Sequence, residues 1–445
     1  MERRLKLSTW IACALIPFGL GIGQASAADE TAQASAADET VQPLTAISLP
    51  AGNTPLTSFD ISYVDPVIGL YILADRSNAS VDVVDTGTNT VVNQIGKGLF
   101  AGTGGGNNDI AGPNGVLIVN HSEVWAGDGN STIKVFDLAG SSTTPTHVIS
   151  TAHAGSTEQN RADELCVAEE DHVVLMANDA ATPFPFISFV STTTYSVIKQ
   201  IVFDGTSAPK ATNGIEQCQF DKRTKNFYLN LPEVNGAGNN TSPGAVVVIS
   251  PETLNITDTF TIPLASCAGP QGMAIGPRPQ ILLGCNGGAA GFAGPSAVIN
   301  EHNGSVLATL DNEAGADESW FNGGTGHYFI ARGNARPLEL LGVIDSRGRK
   351  EDASFPTTSP GVSSHSVAAD SETNHVFVPI GGNAANTLKT CSSLGGNDAN
   401  GCILVLKDTV DNDDCVAKGA PVIQVNEQGD PEHMKASCRD RNRDD

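Results

Sequence analysis

The chain has 445 residues, 49 of them acidic against 25 Lys plus Arg, for a formal net charge of −24. So large an acidic excess excludes nucleic acid and anionic membrane surfaces as partners, because like charge repels at long range. Aromatic residues make up only 5% of the sequence, which also leaves no stacking platform for a polynucleotide.

Arg3, Arg4 and Lys6 precede an apolar run from Trp10 to Ile22, and Ala25-Ser26-Ala27 follows. A basic start, a short apolar stretch and a small-residue cleavage pattern predict a general secretory signal peptide over 1–27. The run is too short to span a membrane. The mature protein is therefore expected to be secreted or periplasmic. The octapeptide QASAADET occurs at 24–31 and again at 33–40, and residues 28–40 are expected to be disordered.

From residue 41 one pattern dominates. VQPLTAISLP (41–50) reads as a strand with no hairpin partner of its own. Seven similar units follow, opening with FDISYV, PNGVLI, DELCVA, IEQCQF, PQGMAI, DESWFN and SHSVAA. Each opening strand leads through a polar turn into a second apolar strand, as in VVLMANDA. In the first six units a third strand, a turn and a fourth strand come next, as in SVDVVDTGTNTVVNQI. The residues at one position of the opening strands are Asp60, Asn114, Glu164, Glu216, Gln271, Glu318 and His365, at spacings of 54, 50, 52, 55, 47 and 47 residues. Four short strands repeating at about 50 residues predict an all-β, seven-bladed β-propeller over 41–410. A lone four-stranded sheet leaves both faces bare, and closing a ring of blades covers them. The seventh unit supplies CILVLK and then loses the pattern, so 41–50 is expected to be its outer strand and to close the ring. APVIQV (420–425) is the alternative closing strand, and 411–445 forms a tail.

Cys13 leaves with the signal peptide, and the other eight cysteines form an even set in an exported chain, which predicts disulfides. Cys391 and Cys402 bracket a loop in the last unit, while Cys415 and Cys438 bracket the tail. Cys267 and Cys285 flank a hairpin. Cys166 and Cys218 each lie two residues after a marker glutamate, so both share that residue's side of adjacent opening strands.

In a propeller the first strand of each blade lines the central channel. The seven marker residues are thus expected to converge on one mouth of it, as four carboxylates, two amides and an imidazole. Four carboxylates cannot all ionise in one channel without raised pKa values or a cation among them. Oxygen donors of this kind suit a divalent cation, Ca²⁺ first, with Mn²⁺ or Zn²⁺ admitted by the imidazole. The metal-ligand candidates are Glu164, Glu216, Asn114, Asp60 and Gln271. His365 and Glu318 are the catalytic acid-base candidates, and Arg332, at a second-strand end, is placed to hold an anionic substrate. A water-filled tunnel lined by the same polar residues is the competing expectation.

These repeats resemble the YVTN/YncE-type seven-bladed propellers, most clearly in YILADRSNASVDVVDTGTNTVVNQI, and the likeness runs from residue 45 to about 410. The marker layout, Asn114-Gly115 above all, is similar to the SMP-30/gluconolactonase and paraoxonase group. That resemblance implies a metal-dependent lactonase-like hydrolase acting on a small molecule at the channel mouth. Gln271 stands where such a group would place an acid. A metal-dependent lyase fits the same ring, and a non-catalytic propeller binding a ligand or another exported protein is the alternative. The glycine-rich stretches at 101–113, 234–244 and 286–295 would suit an adaptable binding face. The chain has no GxSxG elbow and no CxxCH haem attachment, and its glycine runs lack the Lys-Ser of a phosphate cradle.

Overall fold

The structure is a computed structural model that describes residues 40–409, apart from 159, 289–293, 312, 334–338 and 360–363. The leader, the duplicated octapeptide up to residue 39, the tail with Cys415 and Cys438, and APVIQV lie outside the described residues.

Seven antiparallel sheets of four strands each succeed one another along the chain. The third blade shows why the sequence builds them. Its strands are Leu165–Ala168, Val173–Asn178, Phe186–Ser191 and Ser196–Val202. VVLMAN is buried along its whole length, because a neighbouring blade covers each face. Leu175 and Ala177 pack with Phe227, Leu229 and Val247 of the fourth blade. Val174 and Met176 point the other way, onto Leu117, Trp125 and Val135 of the second. The two-residue period of a strand thus sends alternate side chains into the two inter-blade cores. Outer strand Ser196–Val202 alternates exposed and half-buried positions, as expected of a solvent-facing edge. The first hairpin requires a left-handed residue just before its second strand, supplied by Gly69, His172, Lys225, Gly326 and Asn374 in five blades. Only two of these are glycine.

The ring closes as the sequence suggests. Val41–Ile47 pairs antiparallel with Cys402–Asp408, from Val41 opposite Asp408 to Ile47 opposite Ile403. Asp408 also ties this last blade to the sixth, accepting from Asn322 Nδ2 at 2.8 Å, from Thr325 Oγ1 and from His327 Nδ1 at 2.8 Å. His327 is therefore a buried cross-blade contact.

Three of the expected disulfides are present: Cys166–Cys218, Cys267–Cys285 and Cys391–Cys402. The first joins the innermost strands of the third and fourth blades, and the set suits an oxidising compartment. Among the described residues no helix is long and apolar enough to cross a membrane.

Candidate functional site

In the first, second and fourth blades the marker residue extends the pairing of its opening strand. Asp60 N donates to Ala74 O at 2.9 Å, Asn114 N to Gly127 O at 3.0 Å and Glu216 N to Asn230 O at 3.0 Å. In the third and sixth blades the same bond is made by Asp163 N to Ala177 O at 2.8 Å and by Asp317 N to Ala331 O at 3.1 Å. These aspartates therefore stand level with Asp60, Asn114 and Glu216, while Glu164 and Glu318, expected there from the sequence, lie one residue further along, at the position of Gln217. The glycine after Asn114 serves packing. A Cβ at Gly115 would lie 2.0 Å from Asp163 O, so only glycine lets the second blade's backbone approach the third's this closely.

The ring contains cations that the marker pattern did not reveal. Arg76 pairs with Asp60 and donates through Nη2 to Asn114 Oδ1 at 2.6 Å, joining the first and second blades. Arg161 lies 2.8 Å from both Asp163 and Asp179. His365 stacks on Phe59 at 4.8 Å, with Nε2 3.7 Å from Asp60 Oδ1. Both arginines sit at the edge of stretches already legible as repeats, ADRSN and NRADEL. In a chain so poor in basic residues, that placement was the available signal.

The ring divides into two electrostatic halves. Around the cations, burial opposes ionisation of Asp60, but Arg76 and His365 outweigh it and hold the carboxyl well below its usual range. Burial likewise disfavours charged His365, yet Asp60 and Asp317 overcome it and raise the imidazole's pKa. Asp163 and Asp317 are both pushed up by burial, against the pull of nearby cations. On the other side, among the described residues, no ion pair joins a cation to Glu164, Glu216 or Glu318, though Arg161 still pulls Glu216 down a little. Burial, reinforced by Asp163 and Glu318, pushes Glu164 up. Burial pushes Glu216 up to about 8, with Asp317 and Asp179 adding to it, although Gln271 Nε2 donates to it at 3.1 Å. Glu318 is also raised by burial, while its Oε2 accepts from Ser366 Oγ and from Val367 N at 3.1 Å. Crowding is thus relieved in both available ways, by guanidinium on one side and by retained protons on the other.

Glu216 supplies a direct check. Its folded pKa lies above its unfolded value, so the unfolded chain releases the proton first and stability falls as pH rises from about 4.3 towards 8. Glu216→Gln removes that proton. The variant is expected to gain on the wild type across this window, by up to several kcal/mol at pH 8.5, and to match it near pH 4. Urea melts at pH 4, 6 and 8.5 measure the difference, and an offset that does not vary with pH would refute the assignment.

The proposed metal ligands do not form one shell. Asp60 and Asn114 are engaged by Arg76, and the Gln271 amide is engaged by Glu216. Among the described residues no three His, Cys, Asp or Glu side chains are grouped to hold a metal ion. The donor set therefore does not fit a single divalent cation. Arg332 stands apart from the ring, donating through Nε to Ala314 O at 3.1 Å and pairing with Glu313 at 3.6 Å. Of the second-strand ends, Asp179 reaches the ring through Arg161. Asp75 accepts instead from Asn78 N in its own turn, and Asn178 and Asn230 donate to neighbouring backbone.

Two further residues shape the site. Gln217, beside the marker Glu216, bridges three blades: its Oε1 accepts from Met273 N at 2.6 Å and Ser319 N at 3.2 Å. Above the cations lies the glycine-rich loop. Asn108 Oδ1 accepts from Arg76 Nη1 at 2.7 Å, and Asn108 O from Arg161 Nη1 at 3.5 Å.

Fold and ring together define a seven-bladed β-propeller with a charged cluster closing one end of its channel. The chain matches no protein-family model, and no curated protein matches it. The propeller arrangement implied by the YVTN/YncE resemblance is present.

Proposed function

We propose that the protein binds a small anionic molecule at the marker end of its channel and acts on it by proton transfer. The observation that carries this reading is the convergence of Arg76 and Arg161 on the two oxygens of Asn108. Those oxygens stand where a ligand carboxylate would place its own, and planar guanidinium groups match that geometry. Displacing the loop residue would exchange one pair of acceptors for another and leave no buried donor unpaired. His365, whose pKa Asp60 and Asp317 raise, is then the proton donor beside the ligand, and Glu216, pushed up to about 8, is a second donor across the ring. Hydrolysis of a small carboxylate-bearing ester or lactone is the reaction class these groups serve, in an exported protein.

Calorimetry with succinate and citrate tests the binding step. Asn108→Ala removes the competing amide and is expected to tighten carboxylate binding several-fold, whereas Arg161→Gln abolishes it. No heat with either carboxylate at millimolar concentration, for wild type and Asn108→Ala alike, would sink the proposal. A lactone panel then separates two outcomes. Turnover lost in His365→Ala supports the hydrolase, and binding without turnover supports the non-catalytic alternative.

A further inference from the structure

Beyond the carboxyl ring the channel widens towards the opposite face into a cavity of 1460 Å³. Its inner end is formed by Glu164, Gln217 and Glu318, and its outer end by the turns that join first to second strands, among them those at Val67, Lys222 and Glu372. Asp60, Arg76, Arg161 and His365 are not part of its wall. This space therefore belongs to the other mouth of the channel, away from the cationic half of the ring.

The wall is mixed, with an aromatic patch on one side. Tyr63 and Trp320 meet edge to face at 5.6 Å, and Phe220 and Phe321 stand half-buried beside them. Trp320 Nε1 donates to Ala369 O at 3.0 Å, so the indole presents its ring with its polar demand already met. At the rim, charged side chains are held by one another. His121 lies 2.7 Å from Asp65, and Arg223 bridges Asp221 at 2.9 Å and Glu301 at 3.0 Å. Carboxylates and cations are thus interspersed along this rim rather than gathered by sign. Only the inner end makes a polar demand. Glu318 Oε1 is buried with no hydrogen-bond partner among the described residues, and Glu164 lies beside it. Burial pushes both carboxyls up, towards the protonated form that presents an O–H donor.

We propose that this cavity is a second binding site, for a neutral small molecule with an aromatic body and a carbonyl or ether oxygen. The guest enters from the turn face, lays its ring against Trp320 and Tyr63, and sets its oxygen against Glu164 and Glu318. The volume exceeds the usual range for a drug-sized ligand, so such a guest fits with water alongside it. The site is independent of the carboxylate site at the other mouth.

The test uses 6-propionyl-2-dimethylaminonaphthalene, a neutral naphthalene ketone whose emission shifts to the blue in apolar surroundings. The full mature chain is expected to bind one equivalent saturably, with a blue shift and quenching of Trp320 emission. Glu164→Leu and Trp320→Leu should each weaken binding by about tenfold, roughly the worth of one buried contact or hydrogen bond. Glu164→Gln, which keeps a donor, should bind within about threefold of the wild type. Should Trp320→Leu fail to fold, Phe321→Leu reads the same wall. Citrate should not displace the probe, so failure of the carboxylate site and failure of this one are separately visible. The proposal is overturned if the ketone does not bind saturably, if Glu164→Leu and the wall variant bind like the wild type, or if anionic 1-anilinonaphthalene-8-sulfonate binds as tightly as the neutral probe.

Discussion

Arg76→Met is expected to cost about 3–5 kcal/mol of folding stability, the range found when one partner of a buried ion pair is removed. The methionine keeps most of the volume, so the loss is electrostatic. Asp60 is left ionised without its counterion, and Asn114 Oδ1 loses two guanidinium donors. Adding Asp60→Asn should recover a large part of the deficit, because it removes the stranded charge. The pH dependence has a definite sign. In the wild type the folded pKa of Asp60 is depressed, so its contribution is fully present above the unfolded value near 3.9 and is lost only as pH falls towards the folded one. In Arg76→Met the buried carboxyl takes up a proton at much higher pH and no longer carries the penalty. The gap between the two proteins should therefore narrow on acidification. Urea melts at pH 7 and pH 4 measure it, and a gap that widens at pH 4 would show that the pair is not what holds this side of the ring.

The second large effect concerns the disulfides. In the chain-entropy account, stabilisation grows with the loop that is closed. Cys166–Cys218 spans 52 residues, Cys267–Cys285 spans 18 and Cys391–Cys402 spans 11. The corresponding stabilisations are about 4, about 3 and about 3 kcal/mol. Replacing both cysteines of the first pair by Ala should therefore lower the melting temperature most. The physical setting points the same way, since this bridge joins two separate blades at the channel wall, whereas each of the others staples a single blade. The three double-Ala variants, melted under identical conditions, give the order. A larger loss on removing Cys391–Cys402 than Cys166–Cys218 would mean that local strain or residual structure in the unfolded chain outweighs loop length here.

Much of this architecture was legible because a propeller repeats its own physics. Every blade needs a polar turn and a largely apolar, buried second strand, so the strands repeat at a near-constant spacing that reveals the blade count. Val41–Ile47 was recognisable as the closing strand because it had no hairpin partner while the seventh unit lacked a strand. The disulfides followed from two-residue periodicity and hairpin proximity. The charges were harder. Asp60 and Asn114 were visible as ring members, but their partner Arg76 belongs to a different strand, and Arg161 precedes its own strand by several residues. No fixed spacing links side chains that meet only when blades pack around an axis.

The sequence by itself determined the blade count and the way the ring closes, since these depend on period and on local pairing, but its alignment of the opening strands set Glu164 and Glu318 one residue off the level of Asp60, Asn114 and Glu216. The tertiary structure alone decided what those residues do for one another. Burial at a common axis shifts which carboxyls hold their protons, and Arg76 takes up oxygens of Asp60 and Asn114 that had looked like metal ligands. It also decided that the open volume of the channel lies on the far side of the ring, because free space is what remains after side chains from all seven blades have met.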